Sequence, residues 1–279
     1  MTTAILLCSD LDRTLLPNGV APESAEARPR LRRLAARPEL TLAYVSGRHH
    51  SLLRQAIADY VIPPPDFAIG DVGTTLYEIH GDEWRPWREW AEHIAPDWAG
   101  AGHDDLAALF ADLDLLRLQE PEKQNTFKLS YYTPSGLAHD ELLAEMQSRL
   151  AAKDVRASLV WSVDEAADVG LLDVLPASAT KLHAVEFLMA RRGFDPTRTV
   201  FAGDSGNDLP VVTSGRLQSV LVRNAHPEVV SEASRALRAQ GLQERLYVAR
   251  GGFHQMNGNY SAGVLEGVAH FLPETEAWM

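Results

Sequence analysis

Short apolar runs, each ending in turn-forming or acidic residues, recur along this 279-residue chain at Ala4–Ser9, Thr41–Val45, Phe67–Ile69, Leu171–Leu175, Thr199–Ala202 and Ser219–Val222. Runs of this length with little polar alternation predict strands buried on both faces. Between many of them the spacing turns helical, predicting helices over Glu23–Arg37, His50–Tyr60, Ala179–Arg192, Pro227–Ala239 and Ala262–Phe271. Strand and helix in alternation predict an α/β fold, doubly wound around a mainly parallel sheet. The middle of the chain reads differently. Apolar strands at Phe127–Tyr132 and Val155–Trp161 flank an amphipathic helix over Leu137–Ala152, with Leu142, Leu143, Met146 and Leu150 on one face. The expectation is a core built from residues 1–80 and 169–279, with a smaller α+β domain inserted at 81–168. Pro63-Pro64-Pro65 reads as a stiff turn before a strand.

Composition narrows the class. With 46% hydrophobic and 23% charged residues, the chain is ordinary for a globular protein, and it has no segment apolar enough to cross a bilayer. The run at Ala4–Cys8 is too short for a signal peptide and has no basic residues before it. The single cysteine, Cys8, lies in that run, so a buried thiol in a reducing cytoplasm is expected. The net charge of −12 argues against nucleic-acid and anionic-membrane partners, which are held by neutralising phosphates with Lys and Arg. An anionic substrate would have to find its attraction locally, in a metal ion, one or two cations and backbone N–H groups. No coiled-coil seam or exposed apolar stretch suggests a partner subunit, so a monomer is expected.

In open parallel sheets ligands sit beyond the carboxyl ends of the strands. Those ends carry Asp10-Leu-Asp-Arg-Thr14, Ser46-Gly-Arg48 and Gly203-Asp-Ser-Gly-Asn-Asp208, with Lys181 standing before the helix at Ala184. Taken singly, each has an ordinary explanation. Asp10 and Asp12 could be turn residues or helix caps, Ser46-Gly47 a simple turn and Lys181 a solvated side chain. Asp208 could be an N-cap with Pro210 in the first turn. Taken together, they supply what phosphate-ester hydrolysis demands, an aligned nucleophile and charge neutralisation. Asp10 would attack phosphorus, and Asp12 would serve as general acid and then base. A divalent ion with hard oxygen ligands, magnesium, would relieve the carboxylate repulsion, with Asp204 as a further ligand. Asp208 would be a ligand or an acceptor for metal-bound water. Ser46 and Lys181 would hold the phosphoryl oxygens, with Arg48 and Asn207 as further phosphate candidates, while Gly47 and Gly203 allow close backbone approach.

These stretches resemble the four motifs of the haloacid dehalogenase superfamily, and the inserted segment is similar to that superfamily's cap domain. The resemblance implies magnesium bound by the side chains of Asp10 and Asp204 and the backbone carbonyl of Asp12. Further stretches, Lys123–Tyr131, Val222–Ala225 and Ser261–Phe271, resemble the sucrose-phosphate phosphatases and their relatives acting on other glycosyl phosphates. That likeness implies hydrolysis of a sugar phosphate, sucrose 6-phosphate first, through an aspartyl-phosphate, with Gln124, Asn125 and Lys128 facing the sugar. Two positions depart from the family pattern: Lys123 stands where Glu is usual, and Leu182 where Gly is common. Alternatives are a phosphatase for mannosylfructose phosphate or a glucosyl or mannosyl phosphoglycerate, a phosphomutase, and a non-catalytic sugar-binding module. His49, His50, Asn224 and the stretch His254–Tyr260 are candidates to border the cleft. No cysteine and histidine cluster of zinc type, and no local Ser-His-Asp signature, is present.

Overall fold

A computed structural model describes residues 4–164 and 167–279, with the side chain of Asp164 also outside the description. The chain divides into two compact units, 1–86 with 181–279, and 87–180. The first unit opens with β1 (Ile5–Ser9), α1 (Ala27–Ala35), β2 (Leu40–Val45), α2 (His50–Tyr60), β3 (Phe67–Gly70), β4 (Thr75–His80) and β5 (Glu83–Pro86). The second unit runs through α3 (Arg88–Ile94), α4 (His103–Leu109), β6 (Arg117–Leu118), β7 (Leu129–Pro134), α5 (Asp140–Ala151), β8 (Ala157–Asp164) and β9 (Val169–Pro176). The chain then returns to the first unit as α6 (Lys181–Arg192), β10 (Thr199–Gly203), α7 (Leu209–Val212), β11 (Gln218–Leu221), α8 (Pro227–Gln240), β12 (Leu246–Val248) and α9 (Ser261–Phe271). Among the described residues no helix is long and apolar enough to cross a membrane.

The first unit is built on an eight-stranded sheet of order β12-β11-β10-β1-β2-β3-β4-β5. Pairing is parallel from β12 to β3, and the β4–β5 hairpin adds two antiparallel strands at one edge. From β1 the chain winds outward to β2 and β3, then later winds the other way through β10, β11 and β12. The reversal lies between β1 and β10, where a doubly wound sheet opens its crevice. Ile5 to Cys8 are buried, as a central strand covered on both faces requires.

The second unit carries an antiparallel sheet of order β6-β7-β9-β8. Leu129, Tyr131, Leu172 and Val174 of that sheet share one core with Leu142, Met146 and Leu150 of α5 and with Trp98. The buried carboxylate of Asp97 accepts hydrogen bonds from the backbone N–H and hydroxyl of Ser178 (2.6 and 2.5 Å) and pairs with Arg156.

Two expectations are corrected here. The run Leu171–Leu175 is not a strand of the parallel sheet: it is the body of β9, paired with β7 and β8. A short apolar run has no period that says which sheet it joins. The first helix begins at Ala27 and not at Glu23, because the preceding stretch is held elsewhere: Ser24 Oγ accepts from the Asn257 N–H, and the Pro22 carbonyl accepts from the side chains of Asn257 and Asn259.

The packing of α9 depends on small residues, and Gly263 is the one that meets backbone. A Cβ on Gly263 would lie 2.2 Å from the Gly258 carbonyl oxygen and 3.1 Å from Val222 Cα, both backbone atoms. Gly263→Ala is therefore expected to destabilise the fold by about 1–3 kcal/mol, since relief requires shifting backbone and not merely a rotamer. The midpoint of urea unfolding checks this.

Candidate active site

Asp10 directly follows β1, and its N–H donates to the Ala202 carbonyl of β10 at 2.9 Å, so the two strand ends are tied side by side. Asp204 directly follows β10. Register thus delivers two carboxylates, distant in sequence, to one point at the reversal of the sheet. Asp208 joins them because a Ser205–Asp208 capping box turns the chain back: Asp208 Oδ2 accepts from the N–H groups of Asp204 (3.0 Å) and Ser205 (3.2 Å). That fold-back needs Gly203, where a Cβ would lie 2.5 Å from Asp208 Oδ2. Oxygens of Asp10, Asp204 and Asp208 all lie within 4.8 Å of one another, and all three residues are buried.

Lys181, the first residue of α6, enters this acidic group and is itself only 3% exposed, so the reading of a solvated helix residue does not hold. Its ammonium donates to Asp10 Oδ1 (2.8 Å), Asn207 Oδ1 (2.9 Å) and Asp208 Oδ1 (2.8 Å). An ammonium has three donors, so this one is fully engaged. Burial works against its charge, but Asp10 and Asp208 outweigh burial and raise its pKa above the usual lysine value. Burial pushes the Asp10 carboxyl up; Lys181 pulls it down, Asp208 and Asp204 repel it, and the balance is about 7. Burial and then repulsion from Asp208 likewise raise Asp204 to about 6, against the pull of Arg13. The physical content is an excess of buried negative charge: three carboxylates face one buried ammonium.

Asp204 shows where the missing charge belongs. Its Oδ1 accepts from the Thr14 hydroxyl at 3.2 Å, while its Oδ2 is buried with no hydrogen-bond donor. An orphaned buried carboxylate oxygen beside two further carboxylates, all hard oxygen donors, fits a small divalent cation such as magnesium.

Asp12 has a different environment. Arg48 grips it with both arms, Nε to Oδ2 at 2.8 Å and an η-nitrogen to Oδ1 at 2.7 Å, and Asn18 Nδ2 donates to Oδ1 at 2.6 Å. Partial burial opposes ionisation, but these donors prevail and hold the Asp12 carboxyl below the usual range. The guanidinium of Arg48, expected from sequence at the phosphate, is in this structure on Asp12. Ser46 is buried, and its hydroxyl oxygen accepts from the Arg48 N–H at 3.2 Å; Gly47 is exposed. Asp71 and Val72 prop this loop from beneath. Both have left-handed backbone (φ 50 and 61), and their N–H groups donate to the carbonyls of Arg48 (3.0 Å) and Ser46 (3.3 Å). Such angles are unusual for a β-branched residue and mark strain at a functional loop. Sequence reading did not single out this prop, although Gly70-Asp-Val-Gly73 after a strand was its signal. It also passed over Thr14 and Asn18 as site residues; both lie just past Asp12, in the turn that closes the first motif.

In the second unit, the Gln124 amide is taken up locally: Nε2 donates to the carbonyls of Gln119 (3.1 Å) and Ser130 (2.9 Å), and Oε1 accepts from the Ser130 N–H (2.7 Å). Asn125 Oδ1 accepts from the Phe127 N–H, and the Lys128 ammonium is 3.9 Å from Asp173. Lys123, at the departing position, donates to the Tyr132 hydroxyl at 2.6 Å. Of the bordering candidates, Asn224 touches the first motif directly: Nδ2 donates to the Arg13 carbonyl at 2.6 Å while Oδ1 accepts from the Tyr260 N–H at 2.8 Å. His50 packs against Tyr77 and Trp84, and His254 lies 3.4 Å from Glu276.

Comparison with known proteins bears on this arrangement. Residues 3–272 match the family described as sucrose-6F-phosphate phosphohydrolase. A HAD-like hydrolase of Nitrosococcus oceani is 60% identical over the whole chain, which covers 75% of that protein. A mannosylfructose-phosphate phosphatase of Agrobacterium fabrum is 28% identical, with 82% of each covered. Of a longer glucosylglycerol-phosphate synthase from Pseudomonas anguilliseptica, 29% identical over 96% of this chain, the chain spans only 31%. The crystal structure of the sucrose-phosphatase from Synechocystis sp. in complex with sucrose and phosphate superposes with a TM-score of 0.73 at 25% identity, covering 96% of this chain and 98% of that one. With these likenesses spanning nearly its full length, the chain belongs to the sucrose-6F-phosphate phosphohydrolase family and is a sugar phosphatase of the haloacid dehalogenase type.

Proposed function

We propose that this chain hydrolyses a glycosyl phosphate, sucrose 6-phosphate first, to the free sugar and inorganic phosphate, with Asp10 as nucleophile. The observation that carries the reading is the convergence of buried Asp10 and Asp204 around an unpartnered carboxylate oxygen, with Lys181 bridging Asp10 to Asp208. Magnesium, held by Asp10, Asp204 and the backbone carbonyl of Asp12, would supply the positive charge that both the carboxylates and a phosphoryl group lack.

The chain's own groups then divide the work. An Asp10 oxygen bonds to phosphorus as the bond to the sugar oxygen breaks, and Asp12 delivers a proton to that leaving oxygen. Water next attacks the aspartyl-phosphate at phosphorus, Asp12 takes its proton, and the bond to Asp10 breaks to release phosphate. The Arg48 grip keeps Asp12 in its base form, which suits the second half; the acid role requires Arg48 to release a carboxylate oxygen. Lys181 aims the nucleophile, and Asp208, with both oxygens engaged, serves to hold Lys181 more than to bind metal. Ser46 retains its O–H for a phosphoryl oxygen, aided by the Gly47 backbone and the Asn207 amide. Asn125 and Lys128 are the sugar candidates of the second unit, and Gln124 braces the loop that carries them.

The family description and the sucrose and phosphate complex of the Synechocystis relative favour sucrose 6-phosphate; the Agrobacterium relative makes mannosylfructose phosphate the competing substrate. A panel of disaccharide phosphates, assayed for released phosphate and for isomeric sugar phosphate, ranks the substrates and tests hydrolysis against mutase transfer. Asp10→Asn is expected to lower phosphate release at least about a thousandfold while the fold persists; comparable turnover would remove Asp10 as nucleophile.

Because Asp10 and Asp204 bind protons more tightly folded than unfolded, the folded state holds more protons between about pH 4 and about pH 7. Stability of the chelated protein should therefore fall as pH rises through that window. Magnesium should raise the melting temperature more at pH 8 than at pH 5, where protons occupy the same oxygens. Melting curves in chelator and in magnesium across pH 4–8 check both; an equal magnesium effect at the two pH values would count against carboxylate ligation.

A further inference from the structure

Few groups on the chain are placed to offset the charge of Asp204. Lys181 cannot, because its three donors are taken by Asp10, Asn207 and Asp208. Thr14 holds Oδ1, so the carboxylate cannot simply turn its orphan oxygen toward another donor. The cation beside Oδ2 is Arg13, whose Nε lies 3.5 Å away, close enough for charge and too far for a good hydrogen bond.

Arg13 is held there against its own backbone preference. It sits in the left-handed region (φ 59), which side-chain-bearing residues occupy only where the surroundings impose it. Two contacts impose it: the Arg13 N–H donates to Asn18 Oδ1 at 2.8 Å, and its carbonyl accepts from Asn224 Nδ2 at 2.6 Å. Asn18 and Asn224 thus fix the turn whose one long side chain ends at the metal-facing oxygen. The other half of that side chain's surface is open to water, with 51% exposed, so it has room to withdraw.

We propose that Arg13 is a resident counter-cation: it neutralises Asp204 in the metal-free enzyme, is displaced from Oδ2 when a divalent ion binds, and thereby sets the site's affinity for that ion. This rests on the reading of Asp204 as a metal ligand. A positive charge a few ångströms from the ion disfavours it directly, and the Arg13–Asp204 contact must also be broken. Removing the charge should tighten binding, moderated by solvent around the half-exposed guanidinium.

The test is calorimetric titration of magnesium into the chelator-stripped protein without substrate. Arg13→Gly, which suits the left-handed backbone and deletes the charge, is expected to lower Kd about five- to tenfold. Arg13→Lys, which keeps a charge, should stay within about twofold of the parent protein. An unchanged or weaker Kd in Arg13→Gly overturns the proposal, as does equal tightening in Arg13→Lys, which keeps both the charge and the left-handed backbone and would show that the charge is not the cause. Asp204→Asn separates the two levels: if it binds magnesium as well as the parent does, the ligand reading fails and this inference with it.

Discussion

Three buried carboxylates against one buried ammonium is the constraint around which the first unit is arranged. Burying like charges together is costly, and proteins retain such clusters where a cation or an anionic reaction completes them. The neighbouring features follow from managing that charge. The capping box and Gly203 turn Asp208 inward, α6 begins at the residue that must reach Asp10, and Thr14 fixes one oxygen of Asp204 while leaving the other bare.

The two carboxylates of the first motif are driven apart electrostatically, and this division of labour gives their spacing meaning. Asp10 is buried beside like charge and titrates high, while Asp12, clamped by Arg48 and Asn18, titrates low. Pairs whose surroundings push their pKa values apart are how one site holds distinct roles for chemically identical groups. The left-handed turn at Arg13 lies between these environments, one residue past Asp12, and the turn at Asp71–Val72 supports the arginine that clamps Asp12. Left-handed backbone recurs beside the motifs, at Arg13, Asp71 and Val72, and in the loop at His254, Gln255 and Tyr260 whose neighbour Asn257 secures Pro22.

Strands β1, β2, β10 and β11 were legible because central parallel strands are apolar throughout, and α2 and α8 because their apolar residues share one face. The run at Leu171 was legible as a strand and misassigned to a sheet, since Leu172 and Val174 look alike whether a core helix or an α+β helix covers them. The start of α1 was missed because groups more than 200 residues away hold the stretch before it: the Asn257 backbone N–H on Ser24 and the Asn257 and Asn259 side chains on Pro22.

By itself, the sequence determined the chemistry available to this protein: two carboxylates one residue apart, a serine before glycine, a lysine near the start of a helix and an acidic glycine loop, each near a strand or helix end, and no block of basic residues to attract phosphate by other means. Residue type and spacing are local, so they survive in the linear chain. Tertiary structure alone decided how those groups are charged and which are engaged. It turned Arg48 onto Asp12, closed all three donors of Lys181, left one oxygen of Asp204 unpartnered and set Arg13 beside it. Charge state and hydrogen-bond occupancy depend on burial and on neighbours distant in sequence, and no spacing along the chain encodes them.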